Sequence, residues 1–181
     1  MKNSRPRKQR GFTLVEVMVA MAVLSFGVLS LVSIFTQGLR ASYQTQIQYI
    51  AQQKAQEAME SIFTARDTRL VTSAQINNVS NGGIFNNGPQ PLYAPGPDGL
   101  FGTADDDSTN PDGIVIAPGP DGIFGTADDV SINLNPWMTR TILIAPVANT
   151  PNLKSITVTV NWTFEGQTLQ YQISSLISNF S

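Results

Sequence analysis

Polar and apolar positions change their spacing three times along the chain. Residues 12–35, FTLVEVMVAMAVLSFGVLSLVSIF, are apolar apart from Glu16, Thr13 and a few serines. About 20 apolar residues cross a hydrocarbon core of roughly 30 Å, so this run is long enough for a membrane helix. From residue 36 the pattern becomes amphipathic. Leu39, Tyr43, Ile47, Ile50, Ala51, Ala55, Ala58 and Ile62 recur three and four positions apart, the spacing of one helical face. No proline interrupts residues 12–88, so the two halves predict one helix of about 55 residues and about 80 Å.

The C-terminal residues alternate instead. RTILIAPVA at residues 140–148 reads as a strand bent at Pro146. In KSITVTVNWTF, Ile156, Val158, Val160, Trp162 and Phe164 fall on one face and Thr157, Thr159, Asn161 and Thr163 on the other, the mark of a half-buried strand. Glu165, Gly166 and Gln167 make a turn, and TLQYQISSLI returns with Leu169, Tyr171 and Ile173 on one face. A hairpin alone is marginal, and the stripe on the second half of the helix is its natural partner. The expected fold is α+β: a long N-terminal helix packed on an antiparallel sheet of about three to five strands. The chain divides into a basic leader (residues 1–11), a membrane helix (12–36), its amphipathic continuation (37–70), a loop-rich acidic insertion (71–139) and the closing sheet (140–181).

The insertion contains a repeat. APGPDGLFGTADD at residues 94–106 recurs as APGPDGIFGTADD at residues 117–129, differing only at Leu100 and Ile123. Carboxylates sit at Asp98, Asp105 and Asp106 in the first repeat and at Asp121, Asp128 and Asp129 in the second, with Asp107, Asn110 and Asp112 between them. No Lys or Arg occurs from residue 71 to residue 139, so these carboxylates repel one another unless solvent, salt or a cation screens them. Two readings stand side by side. Calcium takes Asp, Asn and backbone oxygens on glycine-bearing loops, and all nine residues are candidate ligands, although the EF-hand spacing is missing. Alternatively the aspartates organise the turns of two surface hairpins. Two copies are too few for a solenoid.

Charge and composition narrow the function. Lys2, Arg5, Arg7, Lys8 and Arg10 crowd the N-terminus; without these five the chain keeps six basic and thirteen acidic residues, a charge of −7. Nucleic-acid binding is not expected of so acidic a chain. Cysteine and histidine are absent, which removes disulfides and thiol or imidazole catalysis and leaves little for a zinc site. No phosphate-binding loop or dinucleotide fingerprint is visible, and the paired aspartates lie in a solvated repeat with no apolar pocket to raise their pKa. An enzyme is not expected, and no cofactor is required.

The basic residues place the N-terminus in the cytoplasm and the rest of the chain across the membrane. A secretory signal peptide has a shorter apolar region. A plain anchor leaves Glu16 without a purpose, since a carboxylate in a membrane helix costs about 2.5–3.5 kcal/mol on insertion scales. The stretch RGFTLVEV at residues 10–17 resembles the cleavage and methylation signal of type IV prepilins and type II secretion pseudopilins. That resemblance implies a pilin fold, a cut after Gly11 by prepilin peptidase, N-methylation of Phe12, and a role for Glu16 in assembly by meeting the N-terminal amine of a neighbour. It also implies an inner-membrane precursor that joins other pilins or pseudopilins through the helix, at an inner-membrane assembly platform, and leaves as a periplasmic or extracellular filament. Major pilins often carry a proline in the second half of the apolar run; here Gly27 stands there without one. The order of helix, loop-rich stretch, TVTVNW and closing hairpin is similar to minor pilins of the type IV pilus modification class, and also to minor pseudopilins. A third reading, from a different class, is a membrane-anchored surface protein whose acidic repeat captures calcium or another ligand.

Overall fold

The computed structural model of the chain describes residues 11–135 and 137–178; the leader residues 1–10, with their five basic side chains, lie outside the described residues. Helix α1 (Leu14–Asp67) is followed by a 3-10 turn (Val79–Asn81) and by strands β1 (Gln90–Pro91), β2 (Tyr93–Ala94), β3 (Asp107–Pro111), β4 (Gly113–Ala117), β5 (Val130–Asn133), β6 (Met138–Val147), β7 (Thr150–Phe164) and β8 (Gln167–Ser178). The chain forms two compact units, the first ending at Thr45 and the second beginning at Gln46.

In the first unit every residue from 11 to 45 is exposed. The hydroxyls of Ser25, Ser30 and Thr36 each donate to the carbonyl one turn back, at 2.8 Å. This hides their polarity within the helix and leaves an apolar surface that is long enough to cross a membrane. The helix passes through Gly27 without a break.

The second unit contains the core. Ile47, Ala51, Ala55, Ala58, Ile62 and Ala65 form the buried stripe of α1. The stripe begins about two turns later than the amphipathic pattern predicts, because Leu39 and Tyr43 remain 57% and 55% exposed. Its alanines have no bulk beyond Cβ, so the helix lies close to what it covers. The helix ends on Arg69 in the left-handed region (φ 58°), with Leu70 N–H donating to Ala65 O at 2.8 Å and Arg69 N–H to Arg66 O at 3.0 Å. This is a Schellman ending whose left-handed position is usually glycine.

Strands β1, β6, β7 and β8 form an antiparallel sheet in that order. Ile142 pairs with Val158 and Val158 with Ile173. The alternation expected of β7 is observed: Ile156, Val158, Val160 and Trp162 are buried. The β7–β8 turn is Glu165–Gly166, both at positive φ, the geometry that matches strand twist in two-residue hairpins. The bend expected at Pro146 is a register shift between Pro146 and Val147. At the β1 edge the partner strand is two residues long and contains Pro91. Beyond it the side chain of buried Asn78 takes over, accepting from Ile144 N–H and donating to Ile142 O, both at 2.8 Å. Strands β2 with β3 and β4 with β5 form separate pairs.

The stretch 71–139 does more than loop out. Val71, Ile76, Phe85, Leu92, Leu100 and Leu134 are buried in the same core as the helix and the sheet. Asp112 fastens these layers together. Its carboxylate takes Lys54 Nζ of α1 at 2.7 Å and Arg140 Nη1 of β6 at 3.4 Å, and its N–H donates to Leu92 O at 2.8 Å. All three charged residues are buried. Burial works against the charge of Lys54, but its bonds to Asp112 and Glu57 outweigh it and hold its pKa above the ordinary lysine value; burial lowers that of Arg140 against the pull of Asp112 and Asp106. Removing one partner of a buried ion pair leaves an uncompensated charge and costs about 3–5 kcal/mol. Asp112→Asn, which takes the paired carboxylate from Arg140 and leaves Lys54 with Glu57 alone, is expected to lower unfolding stability by about that amount in denaturant titration of the detergent-solubilised chain. A loss under about 1 kcal/mol would mean that the network is a solvent-screened pair instead.

Candidate functional site

Gly11, Phe12 and Thr13 lead directly into α1. Phe12 is 84% exposed. Thr13 is the N-cap: its Oγ1 accepts the backbone N–H of Glu16 at 3.3 Å. T-x-x-E ahead of an apolar run is the capping-box pattern, and a carboxylate in the first turn also faces the positive end of the helix dipole. The bond to Thr13 is made by the Glu16 backbone, so what its carboxylate adds locally is negative charge in the first turn of the helix. Thr13 and Glu16 carry this capping signal in their spacing. Phe12 and Glu16 line one shallow recess with Val17, Ala20, Met21 and Leu24. A cut after Gly11 would free an amine on the same end of the helix as the carboxylate.

The two repeats fold alike because each bonds to itself. In the first, Asp98 Oδ1 accepts Leu100 N–H at 2.8 Å, Asp106 Oδ2 accepts Gly102 N–H at 2.8 Å, and Thr103 Oγ1 donates to Asp105 Oδ1 at 2.7 Å. In the second, Asp121 accepts Ile123 N–H at 2.8 Å, Asp129 accepts Gly125 N–H at 2.6 Å, and Thr126 donates to Asp128 at 2.6 Å. Gly96 and Gly119 sit where a Cβ would strike Asp105 and Asp128. The glycines and aspartates of the motif are thus explained by the loop they build.

Their surroundings differ. Leu100 of the first repeat is 1% exposed and packs in the core, and the Arg140 guanidinium lies over the Phe101 ring at 4.4 Å. The second repeat is the connection between β4 and β5, and its equivalent pair, Ile123 and Phe124, is 61% and 65% exposed. The nine candidate calcium ligands are not brought to one place. Asp98, Asp105 and Asp106 belong to one loop and Asp121, Asp128 and Asp129 to the other; Asp107 and Asn110 lie on β3, where Asp107 accepts Thr109 Oγ1 at 2.6 Å. Asp112 is a correction: its carboxylate is neither unneutralised nor open to a metal, because Lys54 and Arg140 occupy it. Among the described residues no group of three or more acidic side chains is placed to hold a metal ion.

Burial raises the pKa of Asp98, and the neighbouring Asp105 raises it further against the Leu100 N–H bond; burial also raises that of Asp106. A carboxyl raised in the folded state contributes stability that is complete below its unfolded pKa and is lost as pH rises through the folded value. Asp98→Asn keeps an oxygen for Leu100 N–H and removes the charge facing Asp105. Its melting temperature is expected to exceed the parent's at neutral pH and to converge with it as pH falls toward the ordinary carboxylate value of 3.8. A loss at neutral pH that fades on acidification would show that the charge itself is needed.

Comparison with known families gives one match: the prokaryotic N-terminal methylation motif, at residues 6–32. No curated protein and no solved structure matches the chain. The match falls on the stretch that holds Gly11, Phe12, Thr13 and Glu16 and on the apolar helix that follows. This motif implies processing by a prepilin peptidase. With the apolar helix it is consistent with a membrane-anchored precursor that later enters a pilus, and it supports a type IV pilin-like protein.

Proposed function

We propose that the chain is a minor pilin, a structural subunit that prepilin peptidase cuts after Gly11 and methylates at Phe12, and that enters a type IV pilus or the complex that starts one. The observation that carries this reading is the state of α1. Its first 32 residues, Leu14 to Thr45, are exposed along their whole length, whereas from Ile47 the same helix supplies the core stripe of a folded head. Its apolar part, residues 14–35, needs a lipid surround before assembly and neighbouring helices after it. Pilus assembly supplies both in turn.

Glu16 is the residue whose cost this reading explains. Inside a bundle of apolar helices a carboxylate is tolerable when paired, and a methylated amine keeps its positive charge. The Phe12 amine of a neighbour is the partner that assembly brings. Glu16→Ala should be cleaved at Gly11 as the parent is, yet enter filaments at least ~10-fold less, a loss of about 1.4 kcal/mol or more in pairing. Parental incorporation of this variant would contradict the pairing. The runner-up, a minor pseudopilin of a type II secretion system, shares the whole N-terminal argument. Deleting the gene is expected to reduce piliation and leave type II secretion intact; the opposite phenotype favours the pseudopilin.

A further inference from the structure

The first repeat shows how its motif is seated. Leu100 enters an apolar floor, Phe101 lies under an arginine guanidinium, and Asp106 adds its charge to the attraction on that arginine. The second repeat carries the same set, with Ile123 for Leu100, Phe124 for Phe101 and Asp129 for Asp106, folded by equivalent hydrogen bonds. Yet it has no seat: Ile123 and Phe124 face outward on a two-stranded arm whose Val115, Ile116 and Val130 are also at least half exposed. A pair of strands of this size is marginal without something to pack on.

The second unit holds a cavity of about 420 Å³ with the matching chemistry. Val71, Ile76 and Ile177 give it an apolar floor, and Arg66, Arg69 and Lys154 give it a basic rim. These are all the basic residues of the second unit other than Lys54 and Arg140, which Asp112 occupies. Arg66 lies over the Phe63 ring at 5.0 Å and pairs with Asp67 at 2.7 Å. Lys154 Nζ donates to Ser73 O and Ile76 O. Arg69 is the residue that stands out. It occupies the left-handed position of the helix ending, where glycine would relieve strain of order 1 kcal/mol. Keeping an arginine there costs stability and places a guanidinium on the rim.

We propose that the β4–β5 arm of one chain docks into this cavity on a second copy of the same chain, with Ile123 on the apolar floor, Phe124 against the Arg69 guanidinium, and Asp121, Asp128 and Asp129 against the basic rim. The occupant is chosen by charge complementarity, since the arm belongs to a stretch with no basic residue from 71 to 139, and by the seat that the first repeat already takes. The contact is heterologous, because the arm and the cavity are different surfaces. Contacts of this type propagate along a row of subunits instead of closing on a pair. It goes beyond the pilin reading and does not need it.

The chain contains no cysteine, so the contact can be read by placed thiols in the full-length protein in its membrane. Ala127→Cys marks the arm tip and Ser73→Cys the cavity rim. Cells making both variants are expected to give a crosslinked dimer with a short bis-maleimide, and a chain carrying both thiols a ladder. Phe124→Ala in the arm chain, or Arg69→Gly in the cavity chain, should cut the yield by ~10-fold. Arg69→Gly should melt at or above the parent temperature, which separates lost docking from lost folding. The proposal is overturned if the mixed cells give no dimer, if Ala127→Cys alone dimerises as well as the mixture, if the doubly substituted chain links only within itself, or if Arg69→Gly leaves the yield unchanged. None of these outcomes touches cleavage at Gly11, so failure here is distinct from failure of the pilin reading.

Discussion

The head is organised around the Asp112 carboxylate. It reaches back 58 residues to Lys54 on the helix and forward 28 residues to Arg140 on the sheet, and its own N–H is held by Leu92 O. One side chain thereby sets where the helix lies on the sheet and where the loop-rich stretch crosses between them. Apolar packing supplies the driving force, but it is tolerant of small shifts in register. A buried charge with two partners is not, since displacement pulls Arg140 off its carboxylate and leaves Lys54 with Glu57 alone in a low-dielectric interior. The first repeat depends on the same point, because Arg140, held by Asp112, is the cation that covers Phe101.

What could be read from the chain follows the range of the interactions. The long helix, the alternation of β7 and the turn at Glu165–Gly166 rest on local periodicity and local turn chemistry, and they are legible. The core contribution of Phe85, Leu92, Leu100 and Leu134 is not, because each lies in an apolar stretch of at most three residues among Gly, Pro and Asn, too short to show a period. Asp112 reads as one of the repeat carboxylates for the same reason: within its own neighbourhood it is one more aspartate in an acidic run, and what distinguishes it lies on α1 and β6. Asn78 likewise looks like a turn residue, and its task of closing the β6 edge exists only once the sheet has formed. Leu39 and Tyr43 continue the helical pattern of the stripe although the head ends its coverage at Ile47; periodicity marks a face and does not say where its partner begins.

The repeats separate two levels that usually coincide. The same aspartates take the same backbone N–H and threonine hydroxyl in both, so thirteen nearly identical residues build similar loops twice. Burial differs completely, because only the first has Ile142, Arg140 and the core beside it. Local sequence determines the shape of the motif, and tertiary surroundings determine what the motif is for. The N-terminal helix shows the same separation along a single element. One continuous α1 is wholly exposed before residue 46 and packed after it, so the stability of the head and the need for an outside partner are written into the two halves of one helix.

The N-terminal stretch decides processing and assembly together, and the mature N-terminus tests both directly. Mass spectrometry of the N-terminal peptide of the chain recovered from its native membrane or filament is expected to find a sequence beginning at Phe12 with a methylated amine. A chain that retains Met1, or that begins at any residue inside the apolar helix, would contradict it.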